Sequence, residues 1–426
     1  MARKIYSPIS LHYAWIILVL VYLAILMGSA TRSAASLLIT PLENDFGWTR
    51  AAISSVVSVN LLLYGLGAPV VGRLIDKFGP RLVTIWSLVI LAAGVAGTLY
   101  MNSFWQLFIL WGIVISLGSA GLASVLPGPV VNHWFKARQG LFLGILNSAS
   151  STGQVILQPL LLLLITGFGW RQGLTVLIPV TLISLILSVF WLRNNPEEVG
   201  LKPYGEKAEA GSLALGPTAT EQNPAQVKIA EVLHHRTFWL LVAVYALCGG
   251  TALGLVGTHL IPYSQDHKIS DAMIAIIVGV MGAMNFLGTI ISGWLSDKIS
   301  PRRILLYVFA FRGLALVGLP FVLHSSAGLF AFAVIYGLDW AATVAPVVTI
   351  TGATFGKQAL GTVYGLIFMA HQIGASLMAA AGGLLRVWLG DYWLIFILSG
   401  VAAAVASALA WGLPIEGKRS LMSNIK

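Results

Sequence analysis

Charge is what this chain has least of. Only 9% of its 426 residues are Asp, Glu, Lys or Arg, against 58% hydrophobic, and the mean hydropathy is +0.87. A soluble domain of this size has no way to cover its surface with so few charges, which excludes an ordinary soluble fold. Cysteine is almost missing as well. Cys248 stands alone, so an internal disulfide is ruled out, and no Cys/His spacing suits zinc. The eight histidines never fall in His-x-x-x-His or His-Glu-x-x-His order, so a metal-dependent membrane enzyme lacks its ligands. There is no Walker motif or other nucleotide loop. Neither a metal nor a cofactor is expected, and the drive is an ion or substrate gradient.

What the chain does have is apolar runs of 18 or more residues, the length that crosses about 30 Å of hydrocarbon. Twelve spans are read, at 11–31, 51–71, 82–101, 104–131, 139–165, 172–192, 238–262, 272–294, 304–323, 327–351, 359–385 and 393–413. The N-terminus, basic at Arg3 and Lys4 and apolar from Leu11, has the order of a signal peptide. Its apolar run is too long for one. The stretch 193–237, rich in Pro, Gly, Glu and Lys, alone has soluble composition. It reads as a linker between two halves of six spans, 1–192 and 238–426. It is too polar to be the output domain of a receptor.

The net charge of +10 would suggest nucleic acid in a soluble protein. Here the excess of basic residues on the cytoplasmic side of a membrane explains it, and no nucleic-acid partner is expected. With both termini cytoplasmic, nineteen of the 25 Lys and Arg fall on that side. Four (Arg50, Arg171, Lys268 and Arg386) fall outside, and Arg32 and Arg312 lie within spans.

The chain also repeats. Gly72-Arg73-Leu74-Ile75-Asp76-Lys77-Phe78-Gly79-Pro80-Arg81 returns 221 positions later as Gly293-Trp294-Leu295-Ser296-Asp297-Lys298-Ile299-Ser300-Pro301-Arg302. The same offset maps His133-Trp134-Phe135-Lys136, with Gly140 and Gly144, onto Thr354-Phe355-Gly356-Lys357, with Gly361 and Gly365. Two matches at one offset make the chain a tandem duplication.

The first of these loops, Gly72-x-Leu74-x-Asp76-Lys77-x-Gly79-x-Arg81, resembles the signature loop of the major facilitator superfamily, where a degenerate second copy also occurs. The resemblance covers essentially the whole chain. It implies an all-α integral membrane fold of twelve transmembrane helices in two pseudo-symmetric six-helix bundles, around a cavity that opens alternately to each side. It also implies a monomer. Trp134-Phe135-Lys136-Ala137-Arg138-Gln139-Gly140-Leu141-Phe142-Leu143-Gly144 is similar to the aromatic–basic–Leu–Gly signature of monocarboxylate porters. Gly169-Trp170-Arg171 and Pro196-Glu197-Glu198-Val199-Gly200-Leu201 look like bacterial members. Ala30-Thr31-Arg32-Ser33 stands where those porters carry a basic residue near the outer end of span one. The chain departs from the family twice. The Asp and Arg that mammalian porters carry in span eight are Asn285 and Thr289 here. The Gly-Pro motif of proton/drug antiporters is absent from span five, which has Gly153 and then Gln158-Pro159.

Ionisable residues within spans are expensive and mark function by default. Arg32 is the candidate contact for an anionic substrate, because a guanidinium offers a fork matched to carboxylate and stays charged. A snorkelling interfacial arginine is the bland alternative. Asp339, about 20 Å deep, is the only acid within a span and the obvious proton carrier; Arg312 is close enough to neutralise it in a structural pair. His371, at similar depth, titrates in the right range for proton exchange or substrate contact. His259 reads as an outer gate or a headgroup-level polar residue. Among uncharged groups, Tyr64, Gln154 and Asn285 are expected to contact the cavity, with helix–helix hydrogen bonding as the alternative. Pro127-Gly128-Pro129, Gly249-Gly250, Gly254 and Pro346 mark bends. In the charged loops Asp76 and Asp297 suit helix N-termini, and Arg81 and Arg302 can pair with acids across the loop. The resemblance gives these four a gating role.

The sequence therefore reads as a secondary transporter of the bacterial inner membrane, moving a small organic anion, a monocarboxylate, with protons through Asp339 or His371. Two rivals stay open: an anion exchanger that needs no proton, and an exporter of hydrophobic compounds.

Overall fold

A computed structural model of the chain describes residues 12–122, 126–206, 229–296, 298–356 and 360–414. Apart from one bridge pair, Phe135 with Tyr204, the described residues form helices and connecting turns. Hydrocarbon leaves no water for backbone N–H and C=O groups, so a spanning segment has to satisfy them internally. In chain order the long helices are α1 Tyr13–Phe46, α2 Arg50–Ile75, α3 Lys77–Leu99 and α4 Phe104–Ala120. Helix α5 runs from Gln139–Thr152 through a π-helical turn into Gln158–Phe168. Then come α6 Trp170–Trp191, α7 Arg236–Asp266, α8 Asp271–Ser296, α9 Pro301–Val322, α10 Ser326–Phe355, α11 Thr362–Leu389 and α12 Trp393–Ala410. All except α4 and α5 are long and apolar enough to cross a membrane, ten among the described residues.

The largest extension beyond the expected bounds is at the end of span one. Span one was expected to stop at 31, but α1 continues to Phe46, where Gly47 at φ 66° ends it. Pro41 and the polar run Glu43-Asn44-Asp45 suggest a loop, yet the helix tightens at Ala34 instead of breaking. Ser33 and Ser36 hydroxyls donate to the carbonyls of Ala30 and Ser33 there. Helix α7 likewise continues past 262 to Asp266.

The two charged loops lie at one end of the bundle, called here the loop end. Gly79, at φ 81°, kinks the backbone near the start of α3. A Cβ there would sit 2.5 Å from the Asn194 Oδ1, which accepts from the Arg81 backbone N–H at 2.9 Å. Arg81 and Arg302 do not follow the expectation of pairing with acids in any contact among the described residues. Arg81 donates to the Val189 carbonyl near the end of α6, and Arg302 to the Leu413 carbonyl just past α12. Each copy of the repeat thus caps the last helix of its own half with a cation, where the helix dipole favours one. Asp297, and the side chains of Asp76 and Gln154, lie outside the described residues.

The expected linker is fastened at its start. Trp134 Nε1 donates to the Asn194 carbonyl, and Tyr204 exchanges backbone bonds of 2.8 and 3.0 Å with Trp134 and Lys136. Trp134 and Phe135, the aromatic part of the family signature, are fully buried by this packing.

Glycine sets how closely the helices of the second half approach. A Cβ on Gly249 would fall 1.8 Å from the His371 carbonyl oxygen, and one on Gly374 would fall 2.0 Å from that of Ala246. Helices α7 and α11 therefore touch backbone to backbone. Gly249→Ala is expected to push them apart at a cost of about 1–3 kcal/mol. Thermal unfolding of the purified variant should show a lower midpoint than Gly318→Ala, where a Cβ meets open space.

Candidate functional site

Helices α1, α2, α5, α7, α8 and α10 enclose a cavity of about 70 Å³. Its polar lining includes Ser29, Arg32, Ser36, Asn60, Gln158 and Thr258, and Val256, Met281 and Trp340 supply apolar wall. Because α1 continues to Phe46, Arg32 is not near the outer end of its helix as expected. It lies fourteen residues from Phe46, about 20 Å from that end. That is beyond the reach of a snorkelling side chain.

The guanidinium of Arg32 lies over the Tyr64 ring, 4.7 Å from its centroid. Its Nε is buried and has no hydrogen-bond partner, and no carboxylate pairs with it among the described residues. An aromatic group extends from this contact. Tyr64 meets Phe368 edge-on at 6.4 Å, Phe368 stacks on His371 at 5.9 Å, and His371 lies 4.7 Å from Tyr245. Tyr245 and Tyr364 hydroxyls are 3.2 Å apart. His371 is buried with its Nδ1 unpartnered.

Several expected residues come together here and others do not. Arg32 lines the cavity, and Tyr64 braces it from outside. Asn285 is one turn from the lining residues Met281 and Gly282, and its amide donates to Ser151 Oγ at 3.2 Å, tying α8 to α5. His371 sits behind the Tyr64–Phe368 contact and does not line the cavity. Asn60 and Gln158 do line it, although neither was among the expected cavity contacts. Both have local partners: Asn60 donates to the Trp111 carbonyl at 2.7 Å, and Gln158 to Ser36 Oγ at 3.4 Å.

Asp339 is paired. Its Oδ2 accepts from Arg312 Nε at 2.5 Å, with both side chains buried. The pair lies behind the cavity wall: Trp340 lines the cavity, and Asp339 does not. His259 is fully buried in the bundle, its Nε2 lies 2.9 Å from the Ala379 carbonyl, and its ring is tilted against Tyr392 at 5.1 Å.

At the end opposite the loops, a network joins the two halves of the chain, and sequence reasoning missed it. Arg50 Nε donates to Glu43 at 2.6 Å, while its two Nη groups grip both carboxylate oxygens of Asp266 at 2.6 and 2.5 Å. Arg386 donates to the same Asp266 at 2.8 Å, and the Tyr392 hydroxyl accepts from Arg50 at 3.4 Å. Burial pushes the Tyr392 phenol up to about 12 against the opposing pull of Arg50, so it stays a neutral hydroxyl. Below this network α2 and α11 close on each other, with Ser58 and Ser376 hydroxyls 2.8 Å apart. The only hint in the sequence was that Arg50 and Arg386 fell on the side poor in basic residues.

The sequence profile of the Major Facilitator Superfamily matches residues 20–379. A Bacillus subtilis (strain 168) protein described as an uncharacterized MFS-type transporter, YcxA, is 23% identical over 93% of this chain and 94% of its own length. Monocarboxylate transporter 12-B of Danio rerio is 26% identical over 87% of this chain and 80% of its own. Among solved structures, the crystal structure of a D-xylose-proton symporter superposes with a TM-score of 0.74 at 13% identity. That match covers 96% of this chain and all of the symporter. A profile match over most of the chain, a shared fold and ten membrane-length helices make one conclusion of these observations: the chain belongs to the Major Facilitator Superfamily, as a multi-pass membrane transporter and not an enzyme.

Proposed function

We propose that this transporter moves a small monocarboxylate, bound at Arg32, by alternating access. The observation that carries the reading is the Arg32 guanidinium, held at mid-span in a cavity wall with Nε unpartnered and no carboxylate paired with it among the described residues. A cation held in that way raises the free energy of the empty protein until an anion compensates it. Its planar fork can donate two parallel hydrogen bonds to a carboxylate. A volume of about 70 Å³ corresponds to roughly five water-sized groups, which suits an acid of few carbons. The monocarboxylate transporter 12-B relative supports the same substrate class.

In this reading the chain crosses a bacterial inner membrane twelve times, with α4 and α5 completing the set and both termini cytoplasmic. The excess of Lys and Arg at the loop end supports that orientation. Residues 1–192 and 238–426 form two six-helix bundles that rock about the cavity. Tyr64 orients Arg32, and Gln154 and Asn285 complete the substrate contacts. Protons enter at His371, whose buried Nδ1 has no partner to give up. Asp339, already held by Arg312, suits that task less well. The Arg50 network closes the outer side. Asp76, Arg81, Asp297 and Arg302 serve the closure of the cytoplasmic side.

The test is thermal unfolding of purified protein with acetate, propionate, lactate, pyruvate and a set of neutral lipophilic compounds, at two pH values. A ligand at 100 times its Kd stabilises the folded state by about 2.7 kcal/mol. Stabilisation by the carboxylates, with a pH dependence lost in His371→Gln, is expected. Carboxylate stabilisation unaffected by pH or by His371→Gln would favour exchange without protons. Stabilisation by the lipophilic compounds alone would remove the anion reading.

A further inference from the structure

Helix α10 breaks in its middle, and the cause is Pro346. Proline has no N–H to offer the carbonyl four residues earlier and its ring crowds that carbonyl. The backbone turns irregularly from Trp340 to Thr343 before the helix resumes at Val344. Carbonyls freed inside a membrane bundle need donors from elsewhere. Ser292 of α8 donates to the carbonyl of Ala342. Arg312 of α9 takes the next two: its Nη2 donates to the carbonyls of Asp339 at 3.0 Å and Trp340 at 3.2 Å.

The same guanidinium reaches a second irregular helix. Its Nη1 donates to Cys248 Sγ at 3.0 Å and to Thr251 Oγ1 at 3.4 Å, where α7 enters a π-helical stretch, Gly250–Val256. Tyr336 of α10 donates to the Thr251 carbonyl at 2.8 Å, and Cys248 Sγ lies 3.3 Å from Thr343 Oγ1. Both irregular stretches run into the cavity wall, α7 through Val256 and Thr258 and α10 through Trp340.

We infer that the Arg312–Asp339 pair is a clamp that positions the α7 and α10 walls of the cavity, with Asp339 aiming the guanidinium instead of carrying a proton. Asp339 is already engaged: its Oδ2 accepts from Arg312 Nε, with both side chains buried. Protonating Asp339 would also leave Arg312, which is fully buried, without its counter-charge, and an unpaired buried cation is strongly disfavoured. Arg312 is therefore a positioning residue: it acts on the substrate through Trp340 and the α7 wall. The inference rests on the transporter reading given above, but not on the substrate being a carboxylate.

Cys248 is the only cysteine of the chain, so its alkylation by a small maleimide reports the clamp without any substrate. In the wild type, buried and hydrogen-bonded to Arg312, it should react slowly. Arg312→Lys, which keeps the charge but cannot fork to a carboxylate and two carbonyls, should react at least tenfold faster. An unchanged alkylation rate in that variant would overturn the clamp. The second arm uses Asp339→Asn, whose amide oxygen still accepts from Arg312 Nε while the carboxylate charge is gone. In proteoliposomes its substrate exchange and its accumulation driven by a pH gradient should fall by the same factor, with an unchanged pH profile. Loss of gradient-driven accumulation with exchange at the wild-type rate would make Asp339 the proton carrier and overturn the inference. Wild-type protein that moves no carboxylate would defeat the proposed substrate class, and the alkylation arm would still decide the clamp.

Discussion

Arg32→Ala is expected to have two opposite effects on the purified protein. The ligand-free protein becomes more stable, because the variant no longer holds an unpaired cation at mid-span. Binding of the small carboxylates falls by about a hundredfold, because two charge-assisted hydrogen bonds together contribute about 3 kcal/mol. Thermal unfolding reads both: a higher midpoint without ligand, and no further rise at a carboxylate concentration that saturates the wild type. Arg32→Lys keeps the charge and loses the fork, so its affinity should lie between the two. A merely structural arginine would give the reverse pattern, a lower midpoint with ligand stabilisation intact. That result would remove Arg32 from the site.

The second large effect belongs to Arg50. Among the described residues it is the one side chain of the first half that grips Asp266 of the second, and the geometry is bidentate. Removing one member of a buried ion pair costs about 3–5 kcal/mol. If that energy is spent holding one end of the transporter shut, losing it shifts the balance between closed and open forms by more than a hundredfold. Arg50→Ala should therefore open the seam between α2 and α11. Ser54, fully buried in that seam beside Gly383, gives a reporter. With Cys248→Ser as background, Ser54→Cys should react slowly with a membrane-impermeant maleimide, and about a hundredfold faster once Arg50→Ala is added. Equal rates would mean that the network holds the fold together without controlling access.

The periodic features of this protein were legible in its sequence. Apolar runs located the spans, the repeated loop located the duplication, and two opposite charges in adjacent spans located the Arg312–Asp339 contact. Features were misread where composition and conformation part company. Glu43, Asn44 and Asp45 look like a loop, but a helix in contact with the rest of the bundle can carry them to its end, and Glu43 is needed there to meet Arg50. That one misreading moved Arg32 from mid-span to the rim. The network at the end opposite the loops could not be read at all, since Arg50, Asp266 and Arg386 are brought together by the packing of three helices and share no local pattern. The docking of segment 193–206 could not be read either, because it is made through the backbone, which leaves no compositional trace.

The uncompensated charge of Arg32 has an electrical consequence. A cation that never leaves the cavity makes the charge of the cargo readable from the membrane potential, which is worth about 2.3 kcal/mol per charge and 100 mV. When the anion travels alone, the loaded form is neutral, the empty form carries one positive charge, and only the return of the empty form feels the field. When the anion travels with a proton, loaded and empty forms carry the same charge, and voltage favours neither direction of the cycle.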